Sequence, residues 1–198
     1  MAVVATLVVV ARRGAGKPKH MNMLTKLKTI LQHVWLDASD AERALPADML
    51  SRLAQRVTAS EGRHTGEIRI YVEAALPLSY LWRLGKDSPV RALIRQRAVM
   101  LFAKLRMWDT EHNNGVLIYL QLAEHAIEIV ADRGVNRLVS QQQWKTIADR
   151  MSSAFREGRF EDGLTEAIGE VSAVLVAHFP PARDGQHANE LPDEPVLG

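Results

Sequence analysis

The residues of this chain best suited to chemistry fall in short clusters between Glu61 and Arg133. They are Glu61, His64 and Glu67, then Asp109, Glu111, His112, Asn113 and Asn114, and finally Asp132 with Arg133. Carboxylates gathered with amide and backbone oxygens suit a hard cation such as Ca²⁺ or Mg²⁺, which takes oxygen ligands. On that reading Asp132, Glu111 and Asn113 are the candidate metal ligands, and Glu67, Asp109, His112, Asn113 and Asn114 line a binding rim. The competing reading is structural: Asn113-Asn114-Gly115 is turn chemistry, and Asp132-Arg133 has the form of a surface ion pair.

Other chemistries are weaker. The seven histidines include no His-Glu-x-x-His pair, no Gly-x-Ser-x-Gly elbow occurs, and the absence of cysteine removes disulfides, thiol catalysis and cysteine-ligated zinc. Gly14-Ala15-Gly16-Lys17 lacks the first glycine of a phosphate loop and has Pro18 in place of its Ser/Thr, so no organic cofactor is indicated. Arg91, Arg95, Arg97, Lys104 and Arg106 make one predicted helix basic, with no carboxylate between Ser88 and Trp108. A solvated face is the expectation there, with nucleic acid or anionic lipid as the alternative. The helix lacks the interleaved aromatics of a single-strand binder.

The elements that must position these residues are legible from periodicity. Leu24, Leu27, Ile30, Leu31, Val34 and Trp35 mark an amphipathic helix ending near Asp37, and Pro46 opens a second that runs through Leu50, Leu53 and Val57 to about Glu61. Glu67 to Ala74 alternates as a strand, with Ile68, Ile70, Val72 and Ala74 toward a core and Tyr71 and the charged residues away from it. A long helix from Ser88-Pro89 leads to Val116–Leu122, an unbroken apolar run that reads as a buried central strand. Ala126–Ala131 is its hairpin partner, expected nearer an edge; three strands are clear, and a short fourth near Leu76 to Leu78 would make the sheet more complete. Ser140 and Gln143 form a capping box ahead of a helix that stops at Gly158, and a last helix ends at Pro180-Pro181.

A strand-helix-strand connection within one sheet is parallel and right-handed. The entry at Gly66-Glu67 and the entry at Asn113–Gly115 should therefore share one sheet edge, where the antiparallel third strand also ends. The expected fold is α/β, a three-layer α/β/α sandwich with a small mixed sheet.

With 198 residues, an apolar share of 47%, formal net charge +2 and a pI near 9.0, the chain is sized for one globular domain, and its charge balance argues against nucleic acid as a required partner. Ala2 to Ala11 is apolar but too short to span a bilayer, and its positive charges follow the run where a secretory signal places them first. Residues 1–22 are thus expected as a weakly ordered extension, 23–44 as an N-terminal helical region, 45–179 as the folded domain and 180–198 as a flexible tail.

Thr65-Gly66-Glu67 at a strand entry, Trp108 after the long helix, Asn114-Gly115-Val116-Leu117 opening the buried strand, and Ile127-Glu128-Ile129 in its partner carry a family pattern. Over Leu45 to Phe179 the chain resembles the TPM domain family. Trp35-Leu36-Asp37 and Asn189-Glu190-Leu191-Pro192 look like a short bacterial subgroup without a transmembrane helix or glycine-rich tail. The resemblance implies an α/β sandwich engaged in envelope or membrane-complex upkeep, cytoplasmic or peripheral at the inner membrane, beside membrane-associated protein partners. It also implies, as the alternative, a metal-dependent acid phosphatase with Asp132, Glu111 and Asn113 on the cation and Arg133 steadying phosphoryl charge. Two departures bear on that alternative. Asn113 stands where many members have aspartate, and Ala131-Asp132-Arg133-Gly134 replaces the usual Gly-Tyr-Gly.

Overall fold

The computed structural model describes residues 5–10, 23–85, 88–181 and 189–198. In chain order the elements are β1 (Ala5–Val10), α1 (Met23–Val34), α2 (Ala38–Ala44), α3 (Ala47–Glu61), β2 (Ile68–Glu73), α4 (Leu78–Leu81), α5 (Val90–Lys104), β3 (Val116–Gln121), β4 (Ala126–Ala131), α6 (Arg133–Asn136), α7 (Gln141–Arg156), α8 (Phe160–His178) and β5 (Val196–Leu197).

The strands form one mixed sheet in the order β1-β4-β3-β2-β5. Strands β2 and β3 are parallel, Ile68 lying opposite Val116, and α5 makes the crossover between them. The β3–β4 pair is an antiparallel hairpin with Ile118 opposite Ile129. This is the expected strand-helix-strand unit followed by a hairpin, and helices cover both faces to give the α/β/α sandwich.

Period-two alternation sorts the strand side chains into two cores. Ile68, Ile70, Val72, Val116, Ile118, Leu120, Ile127 and Ile129 meet Leu53 and Val57 of α3, Trp144, Met151 and Phe155 of α7, and Leu164, Val171 and Leu175 of α8. On the other face Tyr71, Leu117, Tyr119 and Val130 meet Leu93, Ile94, Leu101 and Phe102 of α5 with Leu81 of α4. Ser140 and Gln143 close the capping box of α7 as expected.

Several expectations are corrected. Strand β4 is internal, since β1 pairs antiparallel with it from Ala5 opposite Ala131 to Val10 opposite Ala126. The segment read as an N-terminal extension therefore supplies an edge strand, while residues 1–4 and 11–22, including the Gly14–Lys17 loop, lie outside the described residues. The face of β2 assigned to solvent is covered by α5, which buries Tyr71 and Glu73. No strand forms near Leu76 to Leu78, where Pro77 caps α4.

The helical region expected over 23–44 holds a second helix, α2, after the first one ends. It begins at a capping box in which Asp37 accepts from Ser39 and Asp40 accepts from the Asp37 backbone N–H. At the other end of the chain, the segment read as a tail closes the sheet. Val196 and Leu197 pair in parallel with Tyr71 and Val72, and the Gly198 N–H donates to the Val72 carbonyl at 3.0 Å.

Candidate functional site

Parallel pairing of β2 and β3 brings their entries together, and the backbone ties them closely. The Val116 N–H donates to the Glu67 carbonyl at 2.8 Å, the Asp132 N–H to the Gly115 carbonyl at 2.9 Å, and the Gly134 N–H to the Asn113 carbonyl at 2.9 Å. The rim expected from topology thus unites Glu67, Asn113–Gly115 and Asp132–Gly134.

Asn114 is the latch. It is fully buried, its backbone N–H donates to Thr110 Oγ1 at 3.1 Å, and its Nδ2 donates to the Thr65 carbonyl at 2.9 Å, fastening one strand entry to the other. Asn113 adopts φ 52°, a left-handed conformation that asparagine tolerates better than most residues. That turn brings the chain so near Gly134 that a Cβ there would lie 2.4 Å from the Asn113 carbonyl oxygen and 2.7 Å from that of His112.

Asp132 caps α6, its Oδ1 accepting from the Arg133 N–H at 2.6 Å. Its Oδ2 is buried without a hydrogen-bond partner among the described residues, as is Asn114 Oδ1. Burial pushes the Asp132 carboxyl up, opposed by the Arg133 N–H and guanidinium charge.

Glu61 Oε1 accepts from the Ile68 N–H at 2.8 Å, joining α3 to the start of β2. Burial pushes this carboxyl up to about 9, and the neighbouring Glu67 and Asp193 carboxylates add to the shift. His64 is buried with its Nε2 3.4 Å from Ser60 Oγ.

The expected residues therefore divide into two tiers. Glu67, Asn114 and Asp132 are buried, whereas Asp109, Glu111, His112 and Arg133 stand at the surface. Of the candidate metal ligands, Asp132 is enclosed, Asn113 half-buried and Glu111 exposed. Among the described residues no group of three or more His, Asp or Glu side chains is placed to hold a metal ion. Asp132 and Asn114 offer oxygen atoms of the kind a hard cation takes, and Glu67 is a second enclosed carboxylate at the rim.

Sequence reasoning missed the segment that crosses this rim. Glu190 accepts the Glu111 N–H at 3.1 Å through Oε2 and at 3.3 Å through Oε1, while its own N–H donates to Glu67 Oε1 at 3.2 Å. Asn189 Nδ2 donates to Asp193 at 2.7 Å, and Thr58 Oγ1 donates to the same carboxylate. The available signal was the run Asn189-Glu190-Leu191-Pro192, whose polar composition reads equally well as a loose tail.

A second polar cluster lies beneath α5. Arg97 Nε spans Glu73 Oε1 and Oε2 at 3.1 and 3.0 Å, and the Tyr119 hydroxyl donates to Oε2 at 2.7 Å. The basic helix is thus not a uniformly solvated face.

A family model described as TPM domain matches residues 38–174. Among solved structures, the NMR structure of BA42 protein from the psychrophilic bacterium Bizionia argentinensis is similar at 27% identity and a TM-score of 0.65, covering 78% of this chain and 95% of that one. No curated protein matches the chain. No described helix is long and apolar enough to cross a membrane.

Proposed function

The chain belongs to the TPM domain family, and from that premise we propose that it is an accessory interaction protein, working at the cytoplasmic side of the inner membrane beside membrane-associated partners in envelope upkeep. One observation carries this reading: the rim already holds an extended peptide. Glu190 is bound by the backbone N–H of Glu111 and returns a bond to Glu67, and a few residues later Val196 and Leu197 extend the sheet along β2. A backbone N–H that seats a carboxylate, next to a sheet edge that accepts a strand, is the chemistry of peptide recognition by strand addition. A partner segment of similar character would compete for the same place.

The test is capture from native membranes and cytosol with the full chain and with a chain lacking residues 189–198. The expected result is one reproducible set of membrane proteins, enriched on the shortened chain. Recovery of no reproducible partner on either would overturn the reading.

A second reading, a metal-dependent phosphomonoesterase, is favoured by the buried Asp132 Oδ2 and Asn114 Oδ1, which have no hydrogen-bond partner among the described residues. Asp132, Asn113 and Glu111 would hold Ca²⁺ or Mg²⁺, which supplies Lewis acidity toward a phosphoryl oxygen. Arg133 would steady negative charge on the phosphoryl group. Calorimetric titration of both cations into the wild-type chain and Asp132→Ala, with phosphatase assays on the same samples, tests this. Saturable binding lost in the variant is expected. Because burial raises the Asp132 carboxyl, binding should weaken as pH falls through that raised value. No binding at millimolar cation would sink the enzymatic reading.

A further inference from the structure

The pole opposite the rim, at the C-terminal ends of β2 and β3, carries an exposed apolar surface that neither reading of the rim uses. Large apolar side chains exposed elsewhere are scattered, at Trp108, Leu138 and Val176, whereas Leu24, Leu27, Leu31, Val34, Trp35, Leu78 and Trp82 all belong to α1 and α4 or follow them directly. Leu24, Leu27, Leu31 and Val34 recur at three- and four-residue spacing and so share one side of α1. Leu24 is 75% exposed and Trp35 83%. The sequence pattern alone would turn this stripe to the core, but the helix is fixed by its other side. Ile30 packs into the core beneath α5, and the buried His33 accepts the Leu76 N–H on Nδ1 at 3.0 Å.

That bond brings the last turn of α1 to Leu76, two residues before α4, and from there Leu78 is 57% and Trp82 78% exposed. An apolar area of this extent on a folded chain marks an interaction surface.

Charge decides what covers it. Helix α1 contains no carboxylate, nor does the stretch from Ala74 to Gly85, nor α5. Lys28 lies within the stripe, four residues after Leu24 and three before Leu31, and Arg83 and Arg91 are exposed at the same pole. Of the nearest acids, Glu124 is withdrawn, its side chain 9% exposed and 3.7 Å from His33 Nε2, while the exposed Asp37 is engaged as the cap of α2, accepting from the Ser39 N–H and hydroxyl. Leucines flanked by lysine and arginine, with tryptophans at the margin, match the apolar boundary and anionic headgroups of a bilayer.

We propose that the face formed by α1 and α4 docks flat on an anionic lipid surface, with Leu24, Leu27 and Leu31 entering the boundary, Trp35 and Trp82 at headgroup level, and Lys28, Arg83 and Arg91 against lipid phosphates. The proposal is independent of the rim, because the two lie at opposite ends of the sheet.

The test is co-sedimentation of the full chain with vesicles of phosphatidylcholine alone and of phosphatidylcholine mixed with phosphatidylglycerol, at low and high salt. The chain should pellet with the anionic vesicles and be released by salt. Reversing charge in Lys28→Glu/Arg83→Glu should lower partitioning by about tenfold or more, since basic residues gain their membrane affinity near such a surface. Leu27→Glu/Leu31→Glu should abolish it. These side chains are all exposed, Leu27 at 53% and Leu31 at 47%, so both variants should keep the wild-type unfolding temperature, which is measured alongside. Absence of vesicle binding would overturn the proposal. So would a dimer seen in sedimentation velocity that the leucine variant dissolves, since the face would then join two copies of the chain.

Discussion

Glu128 is the residue whose burial is hardest to reconcile with its charge. It lies in the middle of β4 on the α5 face, opposite Tyr119, with both carboxyl oxygens buried and without a hydrogen-bond partner among the described residues. Burial raises its pKa from 4.5 to about 9, with Arg95 and Arg91 opposing the shift. A folded-state pKa above the unfolded one means that the native chain keeps a proton which the unfolded chain gives up. The stabilisation is therefore complete below pH 4.5 and is lost as pH climbs to about 9. Glu61, also raised to about 9, adds a decline of the same sign. Each proton so held costs about 1.4 kcal/mol per pH unit across that window. Urea unfolding at a series of pH values should show stability falling toward alkaline pH, with a shallower fall in Glu128→Gln; equal slopes would place the wild-type proton elsewhere. Arg97 is the opposite case, because its partner charge is enclosed with it. Arg97→Met should cost roughly 3–5 kcal/mol by leaving the Glu73 carboxylate buried without its cation, and the same unfolding assay reads it. Neither role is visible in the sequence. Alternation along β2 correctly sends Ile68, Ile70 and Val72 to one core, but alternation cannot reveal that a helix elsewhere in the chain also covers Tyr71 and Glu73.

At the scale of elements, the rim is assembled by close backbone approach. A Cβ on Gly115 would lie 2.2 Å from the Met107 carbonyl oxygen, backbone that has no rotamer with which to yield. Gly115→Ala should therefore force the loop after α5 away from the start of β3, at a cost of about 1–3 kcal/mol, and should loosen the Asn114 latch. Hydrogen exchange at the Asn114 amide, which donates to Thr110, would report the loosening apart from global stability. Unchanged protection would mean that the loop accommodates the methyl group without opening. This part of the molecule was the most legible, for a physical reason. Strand order and direction follow from the apolar pattern and the handedness of the crossover, and strand direction fixes which loops meet. Hence Glu67, Asn113-Asn114 and Asp132, from three separate stretches of the chain, come to one sheet edge. The elements that escaped were those whose local pattern is ambiguous. Ala5–Val10 is an apolar run without turn punctuation, Val196-Leu197 is too short to show a period, and the α1 stripe obeys the helical period while facing solvent.

For the whole molecule, the decisive relation is between the C-terminal segment and the edge of the sheet. Without β5, strand β2 would present unpaired backbone groups along Tyr71 and Val72, and an open edge of this kind invites pairing with another chain. A two-residue strand is a weak cover by itself. It is reinforced by Glu190 on the Glu111 N–H, by Asp193 on Thr58, and by Gly198, whose Cα approaches Tyr71 so nearly that an added Cβ would fall 2.0 Å from the phenol oxygen. These contacts cross an acidic rim, and that sets their cost: Asp193 and Glu67 both act to hold the proton on Glu61. A chain ending before Asn189 should consequently lose about 1–3 kcal/mol of stability, a loss in the range of removing a few exposed hydrogen bonds and one strand pair. It should also self-associate with rising concentration in sedimentation velocity. A synthetic peptide spanning Asn189 to Gly198, added in trans, should return it to the monomer, whereas a peptide with Glu190→Ala and Asp193→Ala should do so less well. If the shortened chain keeps its stability and stays monomeric, the segment merely rests on the rim. If association appears and the peptide reverses it, the contacts made by ten C-terminal residues are what keep the β2 edge closed to other strands.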